Sequence, residues 1–218
     1  MSHTLFELQD LHYQYRAEHP VLAGADFTLS SGEQVALMGG NGSGKTTLFQ
    51  LMMGLILPQK GQVQAYGQPR RNEAEFMPVR ARTGLLFQDA DDQLFSPTVA
   101  EDIAFGPLNL GKSAQESEAI VADVLAQLEM SSYGDRVTHH LSGGEKRMVA
   151  LGTVLAMNPD VLLLDEPTNA LDETAEARLV EMLNRLPQAM VVISHDRRFL
   201  DQVTNRGVVL NEGRLYAA

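Results

Sequence analysis

The sequence predicts an α/β fold in which a mostly parallel core sheet carries an antiparallel N-terminal β subdomain and a helical subdomain. Three observations predict it. A glycine-rich loop, Gly39-Gly40-Asn41-Gly42-Ser43-Gly44-Lys45-Thr46, falls between an apolar run from Gln34 to Met38 and a helix from about Gly44 to the stop signal at Gly54. Val161 to Leu164 is apolar without a break and ends in Asp165 and Glu166, the pattern of a central strand buried on both faces. Leu5 to Tyr15 and Val21 to Leu29 read as half-buried antiparallel strands joined at a Glu18-His19-Pro20 turn.

Composition bounds what such a chain does. With 218 residues, 44% of them apolar, it suits one large α/β domain or one domain with a subdomain. The longest apolar run, Leu51 to Leu57, is broken by Gly54 and falls far short of the roughly 20 residues of a membrane span. No secretory signal is expected where Glu7 and Asp10 interrupt the first apolar residues. Cysteine is absent, so there is no disulfide framework. A net charge of −11 argues against a nucleic-acid binder, which needs a basic face, while leaving room for a partner with basic loops.

Tyr15, at the end of the first strand, either stacks on an adenine ring or packs as an ordinary strand-end tyrosine. The loop that follows is built for the phosphates of ATP. Its glycines let successive N–H groups turn toward an anion, and the positive end of the following helix adds to that field. Lys45 then reaches the β- and γ-phosphates, and Thr46 offers a hydroxyl to Mg2+, which prefers hard oxygen ligands.

Beyond that helix come Pro58, Lys60 and Gly61, a short strand near Val63, and a polar stretch from Gly67 to Glu75 expected to be an exposed loop. Thr83 to Phe87 is a strand ending in Gln88. The next residues, Asp89 to Gln93, form an acidic patch beside Leu94 and Phe95, which are expected to serve as apolar anchors for a partner. Ser113 and Glu116 have capping-box spacing before a helix with Ile120, Val121, Val124, Leu125 and Leu128 on one face.

Ser142 and Glu145 repeat that spacing, but with Gly143 and Gly144 between them. Glycine is unfavourable in a helix by roughly 0.5–1 kcal/mol against alanine, so the pair implies an anion close to the bare backbone. Asp165 and Glu166 then suit Mg2+, held through its water shell, and polarisation of an attacking water. Asp172 caps a helix with Ala175, Leu179, Met182, Leu183 and Leu186 at helical spacing. Val191 to Ile193 is another buried strand, and His195 just beyond it is placed to meet a γ-phosphate.

In this order, over nearly the whole chain, these residues resemble the ATP-binding-cassette (ABC) ATPases. Tyr15 is similar to the adenine-stacking aromatic, Gly39 to Thr46 to the Walker A loop, and Gln88 to the Q-loop glutamine. Leu141 to Glu145 resembles the signature motif, Asp165 and Glu166 the Walker B pair, Asp172 the D-loop aspartate, and His195 the switch histidine. The resemblance implies a single P-loop NTPase domain over 1–218, with a helical signature region at about 91–158 inserted in its core. It also implies that Glu166, His195 and Gln88 act in catalysis and that Thr46, Gln88 and Asp165 face Mg2+. The implied ATP-binding set is Tyr15, Gly39, Asn41, Gly42, Ser43, Gly44, Lys45, Thr46, Thr47, Ser142, Gly143, Gly144 and Asp172.

Phe87 to Phe95, Glu101 to Leu110 and Leu141 to Arg147 further resemble the ATPase of energy-coupling factor (ECF) importers of the cobalt and nickel type. Departures from common family patterns stand at Gly40 and Asn169, and the sequence ends at Ala218 without the C-terminal extension of many relatives. The resemblance implies a head-to-tail dimer, homo- or heteromeric, on the cytoplasmic face of the membrane. Its partners are then integral membrane T and substrate-binding components, and nucleic acid is not among them. Biotin or another vitamin is the alternative cargo. A soluble ABC ATPase acting on ribosomes or DNA is the alternative class, since Ser194 to Phe199 is similar to the translation-factor branch.

Overall fold

The computed structural model describes residues 3–16 and 19–218. Of the expected turn, Glu18 lies outside the described residues, and His19 and Pro20 belong to a strand. The chain forms two compact units: Met1–Leu85, Asp160–Asp165 and Pro187–Ala218 make one, and Leu86–Pro159 with Glu166–Leu186 the other. The second spans the expected 91–158 region together with 86–90, 159 and 166–186.

The first unit holds two sheets. Strands β1 (Thr4–Arg16) and β2 (His19–Ser30) pair antiparallel, β4 (Lys60–Ala65) pairs on the other side of β1, and β5 (Gln68–Arg70) lies beyond β4. The six-stranded sheet runs β10-β9-β3-β8-β7-β6. Its strands are β3 (Gln34–Met38), β6 (Thr83–Leu86), β7 (Val161–Asp165), β8 (Ala189–Ile193), β9 (Arg206–Asn211) and β10 (Arg214–Ala217). Every residue of β7 and β8 is buried, and β8 lies parallel to both β3 and β7, with Val35 opposite Val191 and Val191 opposite Leu163. Unbroken apolar runs are what burial on two faces demands. Helix α1 (Lys45–Met52) places Leu48, Phe49 and Met52 in one core with Phe6 and Leu8 of β1 and Val35 of β3.

Helix α1 stops where glycine permits. Gly54 has φ +63°, and a Cβ there would lie 2.1 Å from the ring of buried Phe76. Gly54→Ala therefore combines left-handed strain with overpacking. We expect a loss of about 2–3 kcal/mol, read as a lower denaturant midpoint.

The polar stretch from Gly67 to Glu75 is not the expected loop. Tyr66 (φ +54°) and Gly67 (φ +75°) form a two-residue hairpin turn between β4 and β5, with Ala65 opposite Gln68. Asn72 then caps helix α2 (Glu73–Arg80), its side chain accepting from the Glu75 amide at 3.1 Å. Buried Arg70 donates to the carbonyls of Ala65 and Glu75. Pro69 in the strand and Pro78 in the helix hide both elements from a propensity reading. Helix α7 (Arg197–Val203) packs Phe199, Leu200 and Val203 inward to complete this unit.

In the second unit, helices α3 (Val99–Asn109), α4 (Ala114–Gln127), α5 (Gly143–Leu155) and α6 (Glu173–Arg185) all begin at a side-chain cap. Thr98 with Glu101, Ser113 with Glu116, and Ser142 with Glu145 are reciprocal capping boxes, while Asp172 accepts from the Ala175 amide at 2.8 Å. The expected face of α4 buries Val121, Val124 and Leu125, with Ile120 at its margin. Its core partners are Ile103 of α3 and Val149 of α5. Gly152 of α5 lets Leu128 approach, since a Cβ there would lie 2.9 Å from the Leu128 Cδ1.

Candidate functional site

Because β3, β8 and β7 are adjacent and parallel, the residues that follow them emerge along one edge of the sheet. The loop after β3, Asp165 at the end of β7, and His195 just past β8 share that edge. Within the loop Gly44 has φ +104°, and a Cβ on it would meet Val21 at 2.6 Å, so no other residue fits there. The Lys45 ammonium folds over the loop and donates to the carbonyls of Gly39 at 2.8 Å and Gly40 at 3.1 Å. Gly42 also has a left-handed φ of +74°, and the Asn41 it follows is exposed at the loop tip. Ser43 Oγ is buried and has no hydrogen-bond partner among the described residues, an orphaned polar atom in the middle of the loop.

Thr46 Oγ1 donates to Asp165 Oδ2 at 2.7 Å. A hydroxyl and a carboxylate side by side are the hard oxygen donors that Mg2+ takes, and the donor set therefore fits that ion. Among the described residues no cluster of three or more His, Cys, Asp or Glu forms a metal cage. Water and phosphate oxygens are left to complete such a shell, the usual arrangement for Mg2+ at a triphosphate. Tyr15 is 60% exposed rather than packed, and its hydroxyl donates to Gln50 Oε1 at 3.0 Å and lies 3.3 Å from Thr47 Oγ1. The ring rests edge-on against Tyr13, with centroids 5.0 Å apart, and keeps a face for stacking.

The remaining candidates belong to the second unit. Gln88 is exposed just beyond β6, and Asp172 caps α6. Glu166 is buried and has φ +50°, a left-handed conformation unusual outside glycine. Ser142 opens α5 beside a cleft of about 570 Å³ lined by Tyr133, Ser142, Gly144, Ala170 and Asp172. The Glu145 carboxylate accepts from the Ser142 amide at 2.8 Å and from the Tyr133 hydroxyl at 2.8 Å. Those bonds, the Ser142 amide first, hold it below the usual carboxylate range.

The glycine pair has a reason that the sequence reading assigned to an anion alone. A Cβ on Gly144 would lie 2.9 Å from the Ala170 carbonyl oxygen, and one on Gly143 would lie 3.1 Å from the Ala170 Cβ. The bare backbone is thus already approached from within the chain. Leu94, expected as an exposed anchor, is partly buried against the helical core, and Phe105 stands in its place, edge-on to Phe95 at 4.7 Å. Buried Asp102 fixes that surface by accepting from the Phe95 and Ser96 amides at 3.1 and 2.9 Å. The acidic patch is a short 3-10 turn, and Asp91 pairs with Lys146 at 2.6 Å.

The sequence reading passed over Arg147. This side chain is 2% exposed and sends its guanidinium to main-chain carbonyls of Phe87, Gln88, Glu166 and Pro167. Its signal was present in the sequence, an arginine on the apolar side of a helix that also buries Met148 and Leu151, where a lone charge needs partners.

A phosphate loop, a parallel sheet edge bearing its acidic partner, and a glycine-opened helix define a P-loop ATPase cassette. A family model described as ABC transporter matches residues 22–169, and the chain belongs to that family. It is an ABC ATPase, and its reaction is ATP hydrolysis coupled to transport. Among its relatives is the energy-coupling factor transporter ATP-binding protein EcfA of Methanothermobacter thermautotrophicus, 44% identical over 217 residues that cover 98% of this chain and 70% of that one. Among solved structures, cbiO1 from Clostridium perfringens, part of the ABC transporter complex cbiONQ, matches with TM-score 0.86 and 34% identity over 98% of this chain and 87% of that one. The dimeric bacterial ABC transporter cassette MJ0796 matches with TM-score 0.88 and 25% identity, over 97% and 96% of the two chains.

Proposed function

We propose that this chain is the ATP-hydrolysing, energy-coupling subunit of an ECF-type importer for cobalt or nickel ions. The observation that carries the reading is the likeness to EcfA and cbiO1 over nearly the whole chain, with every motif of a hydrolytic cassette present in order.

In this reading the amides of Gly39, Asn41, Gly42, Ser43, Gly44, Lys45, Thr46 and Thr47, with the Lys45 ammonium, hold the phosphates, and Tyr15 stacks on the adenine. Thr46, Asp165 and Gln88 hold Mg2+, which when bound neutralises charge on the β- and γ-phosphates. Glu166 orients and polarises the attacking water, and His195 contacts the γ-phosphate. Two cassettes associate head to tail in this reading, and the MJ0796 cassette that the chain resembles is dimeric. Ser142, Gly143, Gly144 and Asp172 of one then complete the nucleotide site of the other. Closure on ATP and opening after hydrolysis is the motion delivered to the membrane subunits.

No described helix is long and apolar enough to cross a membrane, so in this reading transport belongs to partner subunits and the chain works at the cytoplasmic face. The acidic turn at Asp89 to Asp92, beside Phe95 (67% exposed) and Phe105, receives a basic cytoplasmic segment of those partners. Opposite charge steers such docking, and apolar anchors lengthen it.

The test is purification with the associated membrane subunits, followed by ATP-dependent uptake of cobalt, nickel and biotin. Uptake of cobalt or nickel is expected, and uptake of biotin alone would replace the cargo. Reversing Asp91 and Asp92 to Lys should abolish co-purification and uptake while ATP binding persists, and unchanged uptake would remove the acidic turn from the interface. Because Asp91 pairs with Lys146, whose side chain is mostly covered, circular dichroism of the reversed chain beside its ATP binding separates a lost interface from a lost fold.

A further inference from the structure

We propose that Arg147 is a positioning residue for hydrolysis: it holds the main chain at Glu166 in the conformation from which the carboxylate acts and ties it to the Gln88 segment. The inference rests on the reading of Glu166 as the residue that orients water. Three observations carry it. The Glu166 backbone is left-handed, a state that persists in a non-glycine residue only when its surroundings hold it. Arg147 Nη2 donates to the Glu166 carbonyl at 2.6 Å, and the Asn169 amide donates to the same oxygen at 3.1 Å. The same guanidinium reaches Pro167 O through Nε at 3.4 Å, Gln88 O through Nη1 at 3.3 Å, and the adjacent Phe87 O.

Thus one side chain, rooted in the second turn of α5 just past Ser142 to Gly144, spans two segments that carry catalytic candidates. Only a guanidinium does this. Its donors form a rigid planar fork, whereas a lysine ammonium presents three donors at a single point and cannot serve separated carbonyls at once. Burial of the guanidinium makes the bridge stiff, because its N–H groups have these carbonyls as partners where water is scarce, and its bonds to the Glu166 and Pro167 carbonyls are themselves buried. A change in the start of α5 is therefore carried to the main chain at both Gln88 and Glu166.

The proposal predicts a specific kinetic pattern for the full chain. Arg147→Lys, which keeps charge and most of the volume, should lower kcat for ATP hydrolysis about tenfold to a hundredfold, since small misplacements of reacting groups suffice for such losses. KM for ATP should stay within about twofold, because the phosphate-binding groups are untouched. Arg147→Lys combined with Glu166→Gln, followed by single-turnover hydrolysis, should be no slower than Glu166→Gln alone, since the arginine acts through that carboxylate.

An unchanged kcat, a rise in KM that accounts for the loss, or multiplying losses in the double variant would each overturn the proposal. If Arg147→Lys does not fold, Arg147→Gln carries the same measurements, and failure of both to fold assigns the residue to folding alone. Parent-like turnover in Glu166→Gln by itself strikes the reading of Glu166, whatever Arg147→Lys does.

Discussion

Glu166→Gln should bind ATP with near-parent affinity and hydrolyse it at least about a hundredfold more slowly, the scale of a positioned general base. The substitution keeps the volume and the left-handed main chain of a buried residue and removes only the charge that polarises water. Groups assigned to binding, Lys45 and the loop amides among them, remain in place. Since hydrolysis is the step that opens a nucleotide-closed dimer, ATP should drive accumulation of dimer in this variant, seen by size-exclusion chromatography with scattering. Turnover near the parent's would take Glu166 out of the reaction.

A mixture of Lys45→Ala chains with Ser142→Arg chains should recover ATPase activity that neither has alone. Lys45 is buried in its own loop and supplies the charge for phosphate, so its loss empties the site on that chain. Ser142 opens α5 beside the cleft, where an arginine side chain blocks the approach of a partner's phosphate and removes a cap that stabilises by about 1 kcal/mol. In a mixed head-to-tail dimer one site then has both its Lys45 and its Ser142, and the other has neither. If the mixture is no more active than the single variants while cross-linking shows that the chains associate, the shared site is wrong.

These tests bear on residues that the sequence alone makes visible. The loop from Gly39 to Thr46, the β7 run ending in Asp165 and Glu166, and the capping boxes at Ser113 and Ser142 were legible because each is a local pattern with a local cause. A strand buried on two faces must be apolar throughout, a helix start needs an acceptor for its free amides, and a phosphate loop needs glycine. Helix α3 was missed although Thr98 and Glu101 signal its start, since Gly106 and Pro107 interrupt the helical pattern. Strand β5 and helix α2 are hidden in the sequence for a related reason. Three residues of strand and a helix with an internal proline are held by the hairpin at Tyr66-Gly67 and by Arg70, contacts that no window of sequence contains.

By itself, then, the sequence determined the order of strands and helices that carry phosphate-binding and acidic residues, because those elements form from neighbours in the chain. Tertiary structure decided what lies beside them. It set Thr46 against Asp165, 119 positions apart, laid the Ala170 carbonyl over Gly144, turned Leu94 inward, and closed Arg147 onto four carbonyls from two segments. Such pairings depend on which surfaces meet when apolar faces are buried, and a spacing rule along one chain has no term for that distance.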